Sequence, residues 1–294
     1  MSWILFTVLA ALTWAIVGTI DKIVLTKWVR KPIVSVMICG VIGLVASILV
    51  YLFHGFSTLS YSNITWAFLA GIFYILGTLF YFKAVKIEEI SKIVPLWYLS
   101  PLFVLIFAAI FLGEIFTPIK YLGIFFVIIG AILISSKNFP KISLGKAFWF
   151  MILACLILSG DAIITKYLLN FADFWTIFSY IRIGTIFALI PIFCFSVPDL
   201  ISMTKEHGPK VITLISLNEM LNLVGVLLIT IATAVGYVTL VSALSSIQPF
   251  FVLLLAVILT IFYPKILKEE IGKKSMFLKL FAIILMFVGA ILIT

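Results

Sequence analysis

Unbroken runs of apolar residues, each about twenty residues long, recur along this 294-residue chain. Two of them lie between Ala84 and Ile134, where a short corner at Leu112, Gly113 and Glu114 separates them. A helix that is apolar on every side cannot face water, and about 20 such residues are needed to cross the hydrocarbon core of a bilayer. The runs therefore predict membrane-spanning helices joined by tight turns.

A transmembrane β-barrel is the rival membrane fold, but its strands would alternate apolar and polar residues. The runs here do not alternate, so helices are favoured. Composition agrees, since 65% of the chain is hydrophobic and only 11% is charged, against about 25% charged in a soluble domain. We expect an all-α, multi-pass protein of the cell membrane, without room for a large soluble catalytic domain.

Ten runs can be placed from the sequence. The polar segment between Pro198 and Pro209 is expected to be the longest connection. The runs cover residues 2–21, 33–53, 63–84, 93–112, 118–136, 146–168, 175–197, 211–232, 239–263 and 276–294.

The two halves of the chain, 1–137 and 146–294, share a plan of five runs each. Both place a proline early in the fourth run, a glutamate at the turn that follows, and the same four residues, Gly-Ala-Ile-Leu, near the end. Two sequential copies of an odd number of helices must cross the bilayer in opposite directions. This predicts two inverted five-helix repeats, an architecture typical of secondary transporters with a binding site near the midplane. The matching positions are Pro101 and Pro249, Glu114 and Glu269 or Glu270, and 130–133 and 289–292.

The basic residues divide unequally between the two sides of the predicted bundle. Apart from Arg182 inside a run, only Lys120 and Lys166 lie on the side of the chain termini, and the other lysines and arginines lie at the opposite side. The positive-inside rule would place the lysine-rich side in the cytoplasm and both termini outside.

Several of these features together resemble the drug/metabolite transporter superfamily, and its EamA-type ten-helix members in particular. They are the five-plus-five repeat, the segment from Ala84 to Leu133, and the helix endings with Asp21-Lys22 and Lys166. The resemblance implies a secondary transporter, often an exporter of amino acids, nucleobases or related metabolites. It also implies cytoplasmic termini, against the charge count, so the side of the termini stays open. The chain departs from the family pattern at residues 263–270, which replace the second Leu-Gly-Glu corner.

Three polar residues of the eighth run are the first candidates for a binding site. Asn218, Glu219 and Asn222 share one helical face, because they are spaced by three and four residues. Loss of hydration disfavours an ionised carboxylate, so Glu219 could carry a coupled proton, or it could pair with a cationic substrate. A purely structural hydrogen bond is the alternative.

Arg182 in the seventh run is the second candidate. The seventh and eighth runs are predicted to be antiparallel neighbours, which places Arg182 and Glu219 at similar depths. As binding groups, Arg182 would take a carboxylate or phosphate and Glu219 an amine, a combination that suits an amino acid. A salt bridge that neutralises both charges, or an Arg182 side chain that reaches the nearer surface, would explain the same residues.

Aromatic and amide side chains complete the predicted site. Trp14, Tyr74 and Trp97 could line a pocket and stack on a planar or cationic substrate, although core packing is the alternative for Trp14 and Tyr74. Gln248 stands beside Pro249 and is expected to line the cavity as a hydrogen-bond donor.

The expected function is secondary active transport, most simply export, of an amino acid or related small polar metabolite by alternating access. The expected partners are this substrate, the lipid bilayer and a coupled proton, without metal, cofactor or nucleic acid, and with either a monomer or a homodimer. A membrane-embedded lipid-modifying enzyme is the alternative, but it would need clustered catalytic residues. The two histidines, His54 and His207, stand alone in the sequence.

Overall fold

The structure is a computed structural model that describes residues 3–29, 31–87, 96–135, 145–262 and 273–293. Every regular element in these ranges is a helix. In chain order they are α1 (Trp3–Lys27), α2 (Ile33–His54), α3 (Tyr61–Ile87), α4 (Ser100–Phe111), α5 (Pro118–Ser135), α6 (Lys146–Leu168), α7 (Phe174–Gly184), α8 (Ile186–His207), α9 (Pro209–Val235), α10 (Val238–Ser245), α11 (Gln248–Phe262) and α12 (Lys273–Ile293).

The helices confirm an all-α, multi-pass membrane protein. Within the described ranges, seven helical segments are long and apolar enough to cross a bilayer, and three shorter apolar helices accompany them. One of the seven, Phe174–His207, joins α7 to α8, and another begins at Val238 and joins α10 to α11. The interruptions inside these two segments fall at Thr185 and at residues 246–247.

The prediction of a polar loop between Pro198 and Pro209 is wrong, because α8 continues to His207 and only Gly208 separates it from α9. Gly208 has a φ of 78°, a left-handed conformation that glycine adopts without steric cost. The extra helical turns are held by apolar contacts, since Met203 belongs to the same buried cluster as Val211 and Ile215 of α9. Polar residues in this segment therefore mark the exposed face of a helix.

Proline positions in the two halves coincide with breaks in the helices. Residues 98–99 form a turn directly before Ser100 and Pro101 begin α4. Residues 246–247 form a turn directly before Gln248 and Pro249 begin α11. Proline is tolerated in the first helical turn, where its missing N–H has no intrahelical partner to lose.

The helices pack in antiparallel pairs that combine the two halves. On α1 and α9, Trp14 lies against Gly225 and Trp3 lies against Gly236, so residue numbers rise on one helix as they fall on the other. On α3 and α6, Gly77 contacts Leu158 while Gly160 contacts Phe73. The first and third spanning helices of the first half, α1 and α3, thus pack against the third and first spanning helices of the second half, α9 and α6.

The α5–α12 pair brings two helix backbones into close contact. A Cβ added at Gly123 would lie 2.8 Å from the Gly289 carbonyl oxygen, and one added at Gly289 would lie 2.6 Å from the Gly123 carbonyl oxygen. One added at Gly130 would lie 2.7 Å from the Ala282 carbonyl oxygen. Lipid is as apolar as the helices, so their association depends on such close packing of small residues.

The bundle has two ends, defined by the direction of the helices. The terminal face is the end where α1 begins and α12 ends, and the lysine-rich face is the opposite end. At the terminal face, Glu114 is only 5% exposed and accepts hydrogen bonds from the backbone amides of Val238 (3.0 Å) and Thr239 (3.1 Å). These amides open α10 and have no carbonyl partner within their own helix.

Lys166 supplies the matching contact at the end of α9. Its Nζ donates to the carbonyl oxygens of Thr233 (2.8 Å) and Gly236 (2.7 Å). Glu114 and Lys166, with the four backbone groups that they bind, form what we call the α9–α10 clamp. The carboxylate neutralises a helix N-terminus and the ammonium a helix C-terminus, as the helix dipole favours. The corresponding corner in the second half, 263–270, lies outside the described residues.

Because Glu114 holds the clamp together, we expect its truncation to destabilise the protein. Replacement by alanine leaves two buried amides unpaired, and each hydrogen bond to a charged group is worth about 1.5–3 kcal/mol. We therefore expect Glu114→Ala to lower the unfolding free energy by about 2 kcal/mol or more, measured by thermal unfolding in detergent.

Asp199→Ala is the matched control. Asp199 pairs with Lys31 at 2.9 Å, but the lysine side chain is 61% exposed, and such surface pairs are worth about 0–1 kcal/mol. Equal losses for the two variants would show that the clamp adds nothing beyond a surface ion pair.

Candidate functional site

The three polar residues of α9 meet α1 in the interior of the bundle. Asn218 and Glu219 are 3% and 5% exposed. The Asn222 amide donates to Glu219 Oε2 at 3.1 Å, and the Asn218 amide donates to Asp21 Oδ1 on α1 at 2.7 Å. The structure therefore brings the predicted residues together and adds a second carboxylate, that of Asp21.

Trp14 and Gln248 belong to the same network. The Trp14 indole Nε1 donates to Asn222 Oδ1 at 3.1 Å, and the Gln248 amide donates to the Trp14 carbonyl oxygen at 3.0 Å. Gly225 makes room for the indole, because an added Cβ there would lie 2.6 Å from Trp14 Nε1. Trp14 is thus held by specific polar contacts as well as by packing.

Tyr74 on α3 connects the network to Arg182 on α7. Its hydroxyl lies 3.5 Å from the Asn222 amide nitrogen and 3.5 Å from Cys39 Sγ. Its ring lies beneath the Arg182 guanidinium, whose Cζ is 3.9 Å from the ring centroid. A cation over the face of an aromatic ring is attracted by the ring quadrupole, and this attraction strengthens when the pair is desolvated.

Arg182 and Glu219 share the site without a direct ion pair in the part of the chain that the structure describes. Arg182 is 4% exposed, and its Nε has no hydrogen-bond partner within the described ranges. Gly43 leaves space beside it, since a Cβ added there would lie 3.0 Å from Arg182 Cδ. The guanidinium is held by the Tyr74 ring, and part of its donor capacity is unused.

Trp97, also predicted to belong to the site, has contacts that differ from the hydrogen bonds of Trp14 and Gln248. Its ring lies edge-on to Tyr81, with the centroids 4.8 Å apart. It also packs against a buried cluster that includes Ala84 and Met151. A second buried cluster that it contacts includes Ala11 of α1 and Ile247, so the described contacts of the Trp97 side chain are packing contacts.

An interior opening lies beside this network, at Gly18. Gly18 is exposed, and an added Cβ would meet a single neighbour, the Gln248 amide, at 3.9 Å. At 100° per residue, Gly18 shares a face of α1 with Trp14 and lies opposite Leu5 and Leu9, which are 42% and 39% exposed on the outer side. The exposed surface of Gly18 therefore belongs to the interior of the bundle.

Asp21 and Cys39 are the members of the site that sequence reasoning did not select. Residue 21 stood at the predicted end of the first run, but α1 continues to Lys27. Asp21 is therefore about 9 Å inside the helix end at 1.5 Å per residue. The apolar residues Ile23, Val24 and Leu25 that follow it were the available signal. Nothing in the sequence around Cys39 distinguishes it from a buried apolar residue.

The site can bind charges of both signs. Asp21 and Glu219 offer carboxylates, Arg182 offers a cation, and Trp14 and Tyr74 offer aromatic faces. Within the described ranges, no group of three or more histidine, cysteine, aspartate or glutamate side chains could hold a metal ion. The arrangement suits reversible binding of a small polar molecule.

Comparisons with known proteins agree with this arrangement of helices. The model of the EamA-like transporter family matches residues 1–136. A crystal structure of another protein, 19% identical in sequence, superposes with a TM-score of 0.71 over 99% of this chain and 96% of that one, which shows a common fold. No curated protein matches the chain. The match over the first 136 residues supports membership of the drug/metabolite transporter superfamily, whose EamA-like members are membrane transporters of small molecules.

Proposed function

We propose that the protein moves an amino acid or a closely related metabolite across the membrane by alternating access, in the direction of export. One observation carries this proposal. Arg182, Tyr74, Asn222 and Glu219 form a continuous chain of contacts in the bundle interior, with a cationic group at one end and a carboxylate at the other.

The unused bonding capacity of these groups supports an amino acid. Arg182 Nε is a buried donor without an acceptor in the part of the chain that the structure describes, and a guanidinium binds a carboxylate through paired hydrogen bonds. Glu219 is hydrogen-bonded to the Asn222 amide and to the Cys39 thiol, and a carboxylate has further lone pairs that can accept from an ammonium group. A ligand that carries a carboxylate and an ammonium on the same carbon could bind Arg182 through the first group and Glu219 through the second.

Coupling to protons follows from the same carboxylate. A buried carboxylate is costly to ionise without a partner, so Glu219 is suited to hold either a proton or the ammonium of the substrate. The ionisable groups around it come from several helices: Asp21 on α1, Cys39 on α2, Tyr74 on α3 and Arg182 on α7. Competition between a proton and the substrate for one carboxylate would exchange them across the membrane.

We further propose that the two halves, 1–137 and 146–294, are inverted repeats that enclose this site. The α5–α12 contacts support the symmetry. A shift of 159 positions maps Gly123 onto Ala282 and Gly130 onto Gly289, so the contact of Gly123 with Gly289 corresponds to that of Ala282 with Gly130. The reciprocal pairing of α1 with α9 and of α6 with α3 follows the same symmetry.

The first test is transport by Glu219→Gln in proteoliposomes. Glutamine retains the shape and the hydrogen bond from Asn222 but can neither hold an exchangeable proton nor neutralise an ammonium. We expect flux of labelled amino acids to fall at least about thirtyfold, the effect of losing one partner of a buried charge pair. A pH gradient should drive flux in the wild type and not in the variant.

Glu206→Gln is the matched control, because Glu206 lies exposed near the end of α8. It should leave flux unchanged. Gradient-driven flux that survives in Glu219→Gln would remove Glu219 from the coupling role, and turnover of a lipid without flux would favour the enzyme alternative.

The Arg182 subsite is tested by Arg182→Lys. Lysine keeps the charge but loses the planar group that lies on the Tyr74 ring and the paired donors that suit a carboxylate. We expect the KM for the amino acid to rise about tenfold. The control is the reverse substitution, Lys205→Arg, at the exposed end of α8, which should have no effect on KM. An unchanged KM in Arg182→Lys would argue against carboxylate binding there.

The inverted repeat predicts the sidedness of equivalent connections. Single cysteines, Thr58→Cys and Ser202→Cys, are introduced into a variant that lacks Cys39, Cys155 and Cys194. Thr58 follows the second helix of the first half, and Ser202 lies near the end of the equivalent segment in the second half. Both positions are exposed. A membrane-impermeant maleimide should label them from opposite sides of the membrane, whereas a cysteine at exposed Asn170 should be labelled from the same side as Thr58. Labelling of Thr58 and Ser202 from one side would contradict the repeat.

A further inference from the structure

Among the side chains that the structure describes, the charges of the site are not balanced by a simple amino acid. The interior network holds two carboxylates, Asp21 and Glu219, and one guanidinium, that of Arg182. Asp161 on α6 adds a further carboxylate to the interior, where its described contact is a 3.4 Å hydrogen bond from the Thr165 hydroxyl. A zwitterionic ligand carries no net charge, so the additional carboxylates would lack a cation when it binds and would have to take up protons instead.

We propose that the substrate is a basic amino acid, and that Asp21 and Asn218 bind the cation at the end of its side chain. This inference rests on the proposed function and specifies its substrate class. The α-carboxylate would bind Arg182, the α-ammonium would bind Glu219, and the second cation would lie between Asp21 and Asn218.

An unsatisfied acceptor marks the position of the second cation. Asn218 is 3% exposed, and its Oδ1 has no hydrogen-bond partner among the described residues. The nitrogen of the same amide donates to Asp21 Oδ1 at 2.7 Å, so the unpartnered oxygen lies beside a carboxylate. Leaving a buried acceptor unpaired costs about 1–3 kcal/mol. An ammonium or guanidinium group supplies N–H donors to the amide oxygen and positive charge to Asp21 in one contact.

The spacing along α9 fits the length of such a ligand. Asn222, which contacts Tyr74 and Glu219, and Asn218, which contacts Asp21, are four residues apart, or about 6 Å along the helix. A side chain with a four-carbon stem and a terminal amine spans about the same distance when extended. A neutral side chain of that length would place apolar carbon beside Asp21 and Asn218 and leave both unpaired.

The test compares three compounds of similar length in proteoliposomes that contain the full chain. L-lysine has the carboxylate and both cations, L-norleucine lacks the second cation, and cadaverine lacks the carboxylate. For the wild-type protein we expect L-lysine to be transported at least about thirtyfold more efficiently than either of the others, as measured by kcat/KM.

Asp21→Asn should reduce the ratio of lysine to norleucine transport about tenfold or more, whereas Asp21→Glu should retain the preference for lysine. Asp199→Asn, which removes a carboxylate of the Lys31 surface pair instead, should leave the ratio unchanged. If Asp21→Asn does not fold, competition by unlabelled lysine, ornithine and norleucine in the wild type measures the same preference.

The failures of the two proposals are distinguishable. Saturable norleucine transport equal to that of lysine would overturn the basic substrate class and leave amino-acid transport intact. Cadaverine transport equal to that of lysine would overturn the requirement for a carboxylate and point to diamines. Absence of flux for every amino acid tested, with a folded protein, would overturn the proposed function itself.

Discussion

A polar group that leaves water for the interior of this bundle must find a partner there, and this constraint accounts for most of the contacts described above. The backbone satisfies it within helices. Where a helix is interrupted between α9 and α10, the freed amides and carbonyls are bound by Glu114 and Lys166. The side chains of Asp21, Asn218, Glu219 and Asn222 satisfy it by binding one another and Trp14.

The same constraint makes the exceptions informative. Among the described residues five buried side-chain atoms lack a partner, and two of them, Arg182 Nε and Asn218 Oδ1, lie next to a group of the site. One is a donor and the other an acceptor, so a ligand with both kinds of group would complete them. The Arg182 guanidinium lies on the Tyr74 ring and makes no direct ion pair with Glu219 in the described part of the chain.

Close packing of small residues holds the network in place. Gly225 and Gly43 leave the space that the Trp14 indole and the Arg182 side chain occupy. Gly71 and Gly184 bring α3 against the junction of α7 and α8, where an added Cβ at Gly71 would lie 2.3 Å from the Ile181 carbonyl oxygen. The site residues are thus fixed on rigid helices, and larger residues at these glycines would displace them.

Much of the fold could be predicted because spanning helices have a required length and an apolar surface. The start of α6 at Lys146 and its end at Leu168 match the predicted run, and α2 and α5 agree to within one residue at each end. The errors arose where polarity was misleading. Polar residues of α8 and Asp21 suggested helix ends, yet both helices continue because apolar neighbours such as Met203 and Val24 remain buried. For the site, helical spacing identified the α9 face, but the partners on other helices depend on packing that sequence spacing does not encode.

The α9–α10 clamp has a consequence for the kinetics of access to the site. Glu114 comes from the first half and Lys166 from the second, and both hold the backbone at one helix break. Any conformation that admits solutes from the terminal face by parting these segments must release those bonds and hydrate two charges. Such a conformation is a high-energy, sparsely populated species at equilibrium. The rate of turnover would then depend on how often the hydrogen bonds of the α9–α10 clamp break at the terminal face, whatever the affinity for the solute inside.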